Sequence, residues 1–367
     1  MDKLGQILKE KKKGILIGII GFFGVIIVIL LIIFLMNLFR RYDYAGTEKL
    51  MVNATTEYLS ENRDLMPTDE MNKITIEYST LFGGKYIKEM AKISKDKSCT
   101  GYVEVYKNNN KYYYVPKLSC DNYETKTLTE KILEKENVVE KDDGLYSAND
   151  AYTYRGEFVN NYFKFMNVTW RIIKWDEKQI YLITDDTIDN KVSYVFDDRY
   201  NETTNSQRGY NSFESSRILN SLEAYYKTNF KAHEKYLVPI NACVYTRSKT
   251  DKDKTGATEC NKTYETFISL LPTYDYMNAS IDNLCSTIVD RNCSNYNYLS
   301  KTTNRWWLLN GTNENTYGVY SSNTIGTISV DIASNKKYLR PVVSITNTLS
   351  YKTGSGTIDN PYEVYEY

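Results

Sequence analysis

The run from Gly14 to Leu38 contains no charged residue and only one strongly polar one, Asn37. A helix needs about 20 apolar residues to cross roughly 30 Å of hydrocarbon, so this run predicts a transmembrane helix with room to tilt. Lys3, Lys9, Lys11, Lys12 and Lys13 precede it, and only Arg40 and Arg41 follow immediately. An excess of basic residues marks the cytoplasmic side. The expectation is a single-pass cell-membrane protein with a cytoplasmic tail at 1–13, the span at 14–38 and the bulk of the chain extracytoplasmic. Phe39-Arg40-Arg41-Tyr42 offers no small-residue cleavage site, and the apolar run exceeds that of a cleaved signal peptide, so the anchor is expected to stay attached.

At 367 residues the chain has length for such a segment and one or two folded modules. Lys+Arg and Asp+Glu balance at 46 each, which removes the electrostatic case for a nucleic-acid partner. All 6 cysteines follow Asp96, and their even number suits disulfides formed in an oxidising compartment. Their order groups them into three local loops, so the preferred pairing is Cys99 with Cys120, Cys243 with Cys260 and Cys285 with Cys293. No C-x-x-C occurs and His233 is the 1 histidine; no metal and no cofactor is assigned.

Leu50, Met51, Ala54, Tyr58 and Leu59 recur at helical spacing until Asn62 and Pro67, predicting a helical stalk over 39–66. A small α+β module over 67–125 follows. In it Tyr102 to Tyr106 and Tyr112 to Val115 read as a hairpin around Lys107-Asn108-Asn109-Asn110, with Cys99 and Cys120 at opposite strand ends. Pro116 suits an edge position. Residues 126–153 carry dense charge, such as Glu134-Lys135-Glu136 and Lys141-Asp142-Asp143, and read as a charged connector or an exposed helix.

From Tyr154 the pattern is a meander of short strands, then a helix with an apolar face of Ile218, Leu219, Leu222, Tyr225 and Tyr226, capped by Asn211 or Ser212. Asn160-Asn161-Tyr162-Phe163-Lys164-Phe165, Trp170-Arg171-Ile172-Ile173, Trp306-Trp307-Leu308, Arg340-Pro341-Val342-Val343 and the closing Gly356-Thr357-x-x-Asn360-Pro361-Tyr362 come in an order that resembles a bacterial surface-domain family. That family is associated with the C-type-lectin-like fold, the superfold shared with formylglycine-generating enzymes, and the resemblance covers 154–367. It implies an α+β fold class: a C-type-lectin-like domain beyond the anchor, stalk and hairpin module. The oxidase chemistry is not carried over, since no Cys follows Cys293, and neither is calcium-dependent sugar binding, since its Glu-Pro-Asn and Trp-Asn-Asp motifs are absent.

No catalytic residue is assigned. His233 lies in a charged segment without nucleophile-elbow glycines, and the pairs Asp185-Asp186 and Asp197-Asp198 read as solvated loop charges. Trp306 and Trp307 are adjacent in a strand and point to opposite faces, which makes them the candidate ligand-stacking residues. The leading expectation is a non-enzymatic recognition or adhesion module for a surface glycan or protein. Two alternatives stand beside it. One is a polysaccharide- or cell-wall-acting enzyme using paired carboxylates. The other is a pilin-like subunit, resembling pilins in the Lys13-Gly14 leader but carrying Ile19 where they have an acidic residue. The oligomeric state is not assigned.

Overall fold

In the computed structural model the described residues are 41–69, 72–108, 110–189 and 191–366, with 26 and 28–30. The first helix, α1 (Tyr44–Glu61), begins where the Asp43 carboxylate accepts from the Gly46 amide at 2.9 Å, one of the amides that a helix start leaves without an internal partner. Strand β1 (Lys73–Glu77), short helices α2 (Tyr78–Gly83) and α3 (Met90–Ile93), and strands β2 (Thr100–Asn108), β3 (Lys111–Cys120) and β4 (Tyr123–Glu124) complete a proximal module. The four strands form one antiparallel sheet in the order β1-β2-β3-β4. Period-2 alternation sends Val103 and Val105 of β2 to the helix side, where both are fully buried, and turns Tyr102, Glu104 and Tyr106 to the other face. Asn110 sits at φ 57° in the β2–β3 turn, a left-handed position that asparagine tolerates.

Helix α1 covers the inner face of this sheet with Met51, Ala54 and Leu59, which are 0 %, 4 % and 2 % exposed. A Cβ at Gly101 would collide with the Lys117 carbonyl oxygen, so glycine lets β3 approach β2 closely there. Burying a side chain of the size of Leu or Met contributes about 1.5–3 kcal/mol. The expected helical stalk is therefore corrected: its apolar stripe packs on the sheet, and the helix belongs to the module's core.

The distal part comprises α4 (Leu128–Lys135), β5 (Gly144–Ala148), β6 (Ala151–Arg155), β7 (Tyr162–Phe165), β8 (Val168–Trp175), β9 (Gln179–Thr184), β10 (Tyr194–Val195), α5 (Arg217–Asn229), β11 (Ile240–Cys243), β12 (Thr263–Thr266), α6 (Thr273–Ala279), β13 (Trp306–Gly311), β14 (Gly318–Ser322), β15 (Ile328–Ile332), β16 (Lys336–Lys337), β17 (Val342–Thr346), β18 (Tyr351–Thr353) and β19 (Glu363–Val364). Its main sheet runs β17-β9-β8-β6-β5, with β7 also on β8, and all pairings are antiparallel. The strands β13-β14-β15 form a second sheet. Residues 126–153, read as a connector, supply α4 and β5, and Leu128, Ile132 and Leu145 are 0 % exposed in the distal core. Helix α5 buries Ile218, Leu219, Leu222 and Tyr226, and its cap is Ser216 rather than Asn211 or Ser212, because a 3-10 turn at Phe213–Ser215 delays its start.

Three disulfides join Cys99 to Cys120, Cys243 to Cys260 and Cys285 to Cys293. The architecture is a mixed α/β assembly of several sheets, which corrects the expected series of anchor, stalk, hairpin module and C-type-lectin-like domain. The membrane placement is corrected as well. Among the described residues no helix is long and apolar enough to cross a membrane; the expected span at 14–38 falls outside the described residues apart from 26 and 28–30. The single-pass localisation is corrected with it.

Candidate functional site

The outer face of the proximal sheet lies opposite α4, the β8–β9 turn and the end of β17. Register places Tyr106 between Lys73 and Tyr113, Glu104 between Thr75 and Val115, and Tyr102 between Glu77 and Lys117, so three cross-strand rungs form one wall. Thr127, Thr129 and Glu130 of the α4 start, the Glu177-Lys178 turn and Thr346-Asn347-Thr348 form the other. Between them lies a hollow of about 420 Å³. A second, of about 690 Å³, continues past Thr100 and Gly101 toward Glu134. Tyr102, Lys117 and Glu130 line both, and the two hollows make a trough that the Lys117–Glu130 ion pair, 3.2 Å long, bridges from wall to wall where they adjoin.

The walls are fixed by contacts between the modules. Tyr113 donates to the Leu237 carbonyl at 3.3 Å, and Lys111 Nζ reaches Glu234 Oε1 at 3.3 Å and lies 4.8 Å from the Phe267 ring centroid. Helix α4 opens with a capping box. The Thr127 amide donates to Glu130 Oε2 at 2.7 Å and the Glu130 amide donates to Thr127 Oγ1 at 3.3 Å. That box aims Glu130 at Lys117 across the trough, 3.2 Å away.

Two carboxylates dominate the electrostatics. Burial pushes Glu104 upward, but hydrogen bonds from Lys73 Nζ at 2.7 Å and the Tyr106 hydroxyl at 2.8 Å outweigh it and hold the carboxyl below its ordinary value. Burial likewise raises Glu130, and the Thr127 amide and Lys117 reverse that shift. Both are ionised at neutral pH. Two carboxyls that are shifted upward lie elsewhere: Glu136, raised by burial near Tyr154 and Tyr362, and Asp275, raised by burial but 2.7 Å from the Lys174 ammonium.

The structure does not bring the expected stacking residues into this site. Trp306 and Trp307 are both 0 % exposed, because every residue of β13 is covered on both faces. Trp307 donates its Nε1 hydrogen to the Tyr194 carbonyl at 3.0 Å, and Trp306 packs between Tyr276 and Arg340. His233 lies 3.4 Å from Glu366 and edge-on to Phe165. Of the aspartate pairs read as solvated, Asp197 is fully buried and bound by Arg199 at 2.8 Å, while Asp186 accepts from the Thr303 amide at 2.9 Å.

Cys99, Cys120, Cys243, Cys260, Cys285 and Cys293 all serve as disulfide staples. Two groupings, Asp96 with Cys99 and Cys120 and Asp282 with Cys285 and Cys293, bring donor atoms within 4.8 Å, but their sulfurs are bonded to each other. A more apolar hollow of about 820 Å³ lies beside α1, bounded by Arg41 and Tyr42, next to residues outside the described ones.

The trough residues were not singled out as a site by sequence reasoning. Two signals were present: the alternation Tyr102-Glu104-Tyr106, and the T-x-x-E spacing of Thr127 and Glu130. Which face the first turned to a neighbour, and which neighbour, depended on contacts remote in sequence. No family model, curated protein or solved structure matches the chain.

Proposed function

We propose that this chain is a non-catalytic recognition module whose ligand lies in the trough between the proximal and distal modules. The observation that carries the reading is that each of its two central carboxylates is bonded to an ammonium, Glu104 to Lys73 at 2.7 Å and Glu130 to Lys117 at 3.2 Å. Acid–base cleavage of a glycosidic bond needs one carboxyl held protonated beside one held ionised. Glu104 and Glu130 are instead both held below the ordinary carboxylate range by ammonium and amide donors. Ionised acceptors, hydroxyls and tyrosine rings lining a concave site of several hundred Å³ suit reversible binding.

The test is capture by the full-length chain on arrays of glycans and proteins, run beside Tyr102→Ala and beside Tyr200→Ala, a control at an exposed residue remote from the trough. Ligand retained by Tyr200→Ala and lost by Tyr102→Ala supports the reading. Equal capture by Tyr102→Ala, or turnover of a captured glycan, overturns it.

A further inference from the structure

The first hollow of the trough follows β2 from Tyr102 to Asn108, both of which line it. At about 3.4 Å of rise per residue that course is roughly 20 Å long, far more than one sugar ring or one amino-acid side chain fills. The site is therefore shaped for a chain laid along the strand. Its charges are matched internally: Lys73 with Glu104 at 2.7 Å, Lys117 with Glu130 at 3.2 Å, and Lys126 with Glu134. A charged ligand would have to displace one of these partners and leave a half-buried charge exposed to the ligand's own field. Carboxylates also outnumber ammoniums along the walls, which disfavours a polyanion.

A peptide is a poorer fit than a sugar for two reasons. The floor is a sheet face rather than a free edge, because β2 is hydrogen-bonded to β1 on one side and β3 on the other. Strand addition therefore has no unpaired backbone to meet. Docking of a helix wants a row of apolar anchors, and the opposite wall offers Thr127, Thr129, Glu130, Thr346, Asn347 and Thr348. What the floor does offer is Tyr102 and Tyr106 on either side of Glu104, at alternate positions of one face. A pyranose has an apolar face that lies on an aromatic ring and a rim of hydroxyls that meets an ionised acceptor.

Resting on the recognition reading, we infer that the trough takes an uncharged, hydroxyl-rich linear glycan bound lengthwise, with two separated rings of the chain over Tyr106 and Tyr102 and hydroxyls donating to Glu104 between them. The experiment is calorimetric titration of the full-length chain with cello-, malto- and chito-oligosaccharides of increasing length, at low and high salt. Affinity for one of these series should rise at least tenfold from the monosaccharide to a chain that fills the trough and then level off. It should change little with salt, because no ion pair forms. Tyr102→Ala and Tyr106→Ala should each lose about tenfold, which is about 1.4 kcal/mol. Tyr106→Phe, which keeps the ring, should bind within a few-fold of the unaltered chain.

Binding that is independent of chain length, binding that collapses with salt, or a trough ligand that proves to be a polyanion or a peptide overturns this inference while leaving the recognition reading in place. Oligosaccharide binding untouched by both tyrosine substitutions overturns the two together.

Discussion

Asp96 and Asp282 hold the same position beside two different disulfides, one in the proximal module and one in the distal. Each belongs to an S-x-D-x-x-C sequence, Ser94 to Cys99 and Ser280 to Cys285. In each the aspartate amide donates to the serine hydroxyl, at 3.2 and 3.3 Å. Its carboxylate accepts from the amide two residues on, at 3.0 and 2.8 Å, and the serine hydroxyl lies 3.6 or 3.2 Å from the first sulfur. The Asp96 carboxyl is held below its ordinary value, chiefly by the Ser98 hydroxyl. Opening a disulfide requires an anionic thiolate to reach a sulfur, and a carboxylate within 4.8 Å of both sulfurs repels it.

Asp96→Asn and Asp282→Asn are therefore expected to speed opening of their own disulfide by glutathione several-fold at low salt. The effect should shrink at high salt and be absent with a neutral phosphine reductant. Cys243–Cys260 is the internal control, because among the described residues no such carboxylate grouping surrounds it. Alkylation and peptide mapping over time read all three bonds at once. Equal rates for substituted and unaltered chains would count against an electrostatic guard.

The modules' contact should be acid-sensitive through Glu234. Its carboxyl is lowered to about 2, first by the Lys231 ammonium, then by the Tyr226 hydroxyl and by Lys111 of the proximal hairpin. A folded-state value below the ordinary glutamate value of about 4.3 contributes stability that is complete above that pH. The contribution is lost as pH falls through about 2. Amide exchange at β3 residues near Lys111 should therefore rise between roughly pH 4 and pH 2. Glu234→Gln should show the raised exchange already at neutral pH and no further change in that window.

Arg247 and Glu259 form an ion pair at 2.7 Å in which both side chains are 0 % exposed. Arg247 also donates to the Asp251 carbonyl at 3.0 Å, and Glu259 accepts from the Thr273 hydroxyl at 2.6 Å. Removing one partner leaves a buried charge without compensation, which costs about 3–5 kcal/mol, whereas replacing both with apolar groups is close to neutral. Arg247→Met should lower the urea midpoint far more than the double substitution Arg247→Met with Glu259→Met. Additive losses in the double-mutant cycle would show that the pair is not coupled.

How much of this was legible from the residues differs by element. The hairpin was, because its tyrosines and valines alternate, Asn110 suits the turn, and the paired cysteines mark its ends; β4 touches β3 only at Ser119 and Cys120, so Pro116 has the free side it needs. The apolar stripe of α1 was visible too, but an amphipathic stripe does not say what covers it, and a helix that packs on a sheet reads like a helix that stands alone. At 126–153 the dense charge hides how deeply the few apolar residues sit, since Leu128 and Ile132 are fully buried. Trp306 and Trp307 point to opposite faces, as adjacent strand residues do, but alternation does not say what covers each face, and both faces of β13 are covered. The trough was least legible, since it exists only where strands near residue 105 meet a helix start near 128 and a strand end near 346.

Thr127 links that helix start to the trough, and its replacement tests whether the link matters. As N-cap it accepts from the Glu130 amide at 3.3 Å, and Glu130 returns the contact to the Thr127 amide at 2.7 Å. Loss of an N-cap hydroxyl costs about 1 kcal/mol, and α4 has only 8 residues over which to spread the fraying. Thr127→Ala should therefore lower the unfolding midpoint modestly while freeing Glu130 to swing away from Lys117. Thr127→Ser, which keeps the capping oxygen, should restore both. If the trough is the ligand site, Thr127→Ala loses binding well beyond its loss of stability, and Thr127→Ser recovers it. Binding that falls only in proportion to the unfolded fraction would mean that the orientation of Glu130 plays no part in recognition.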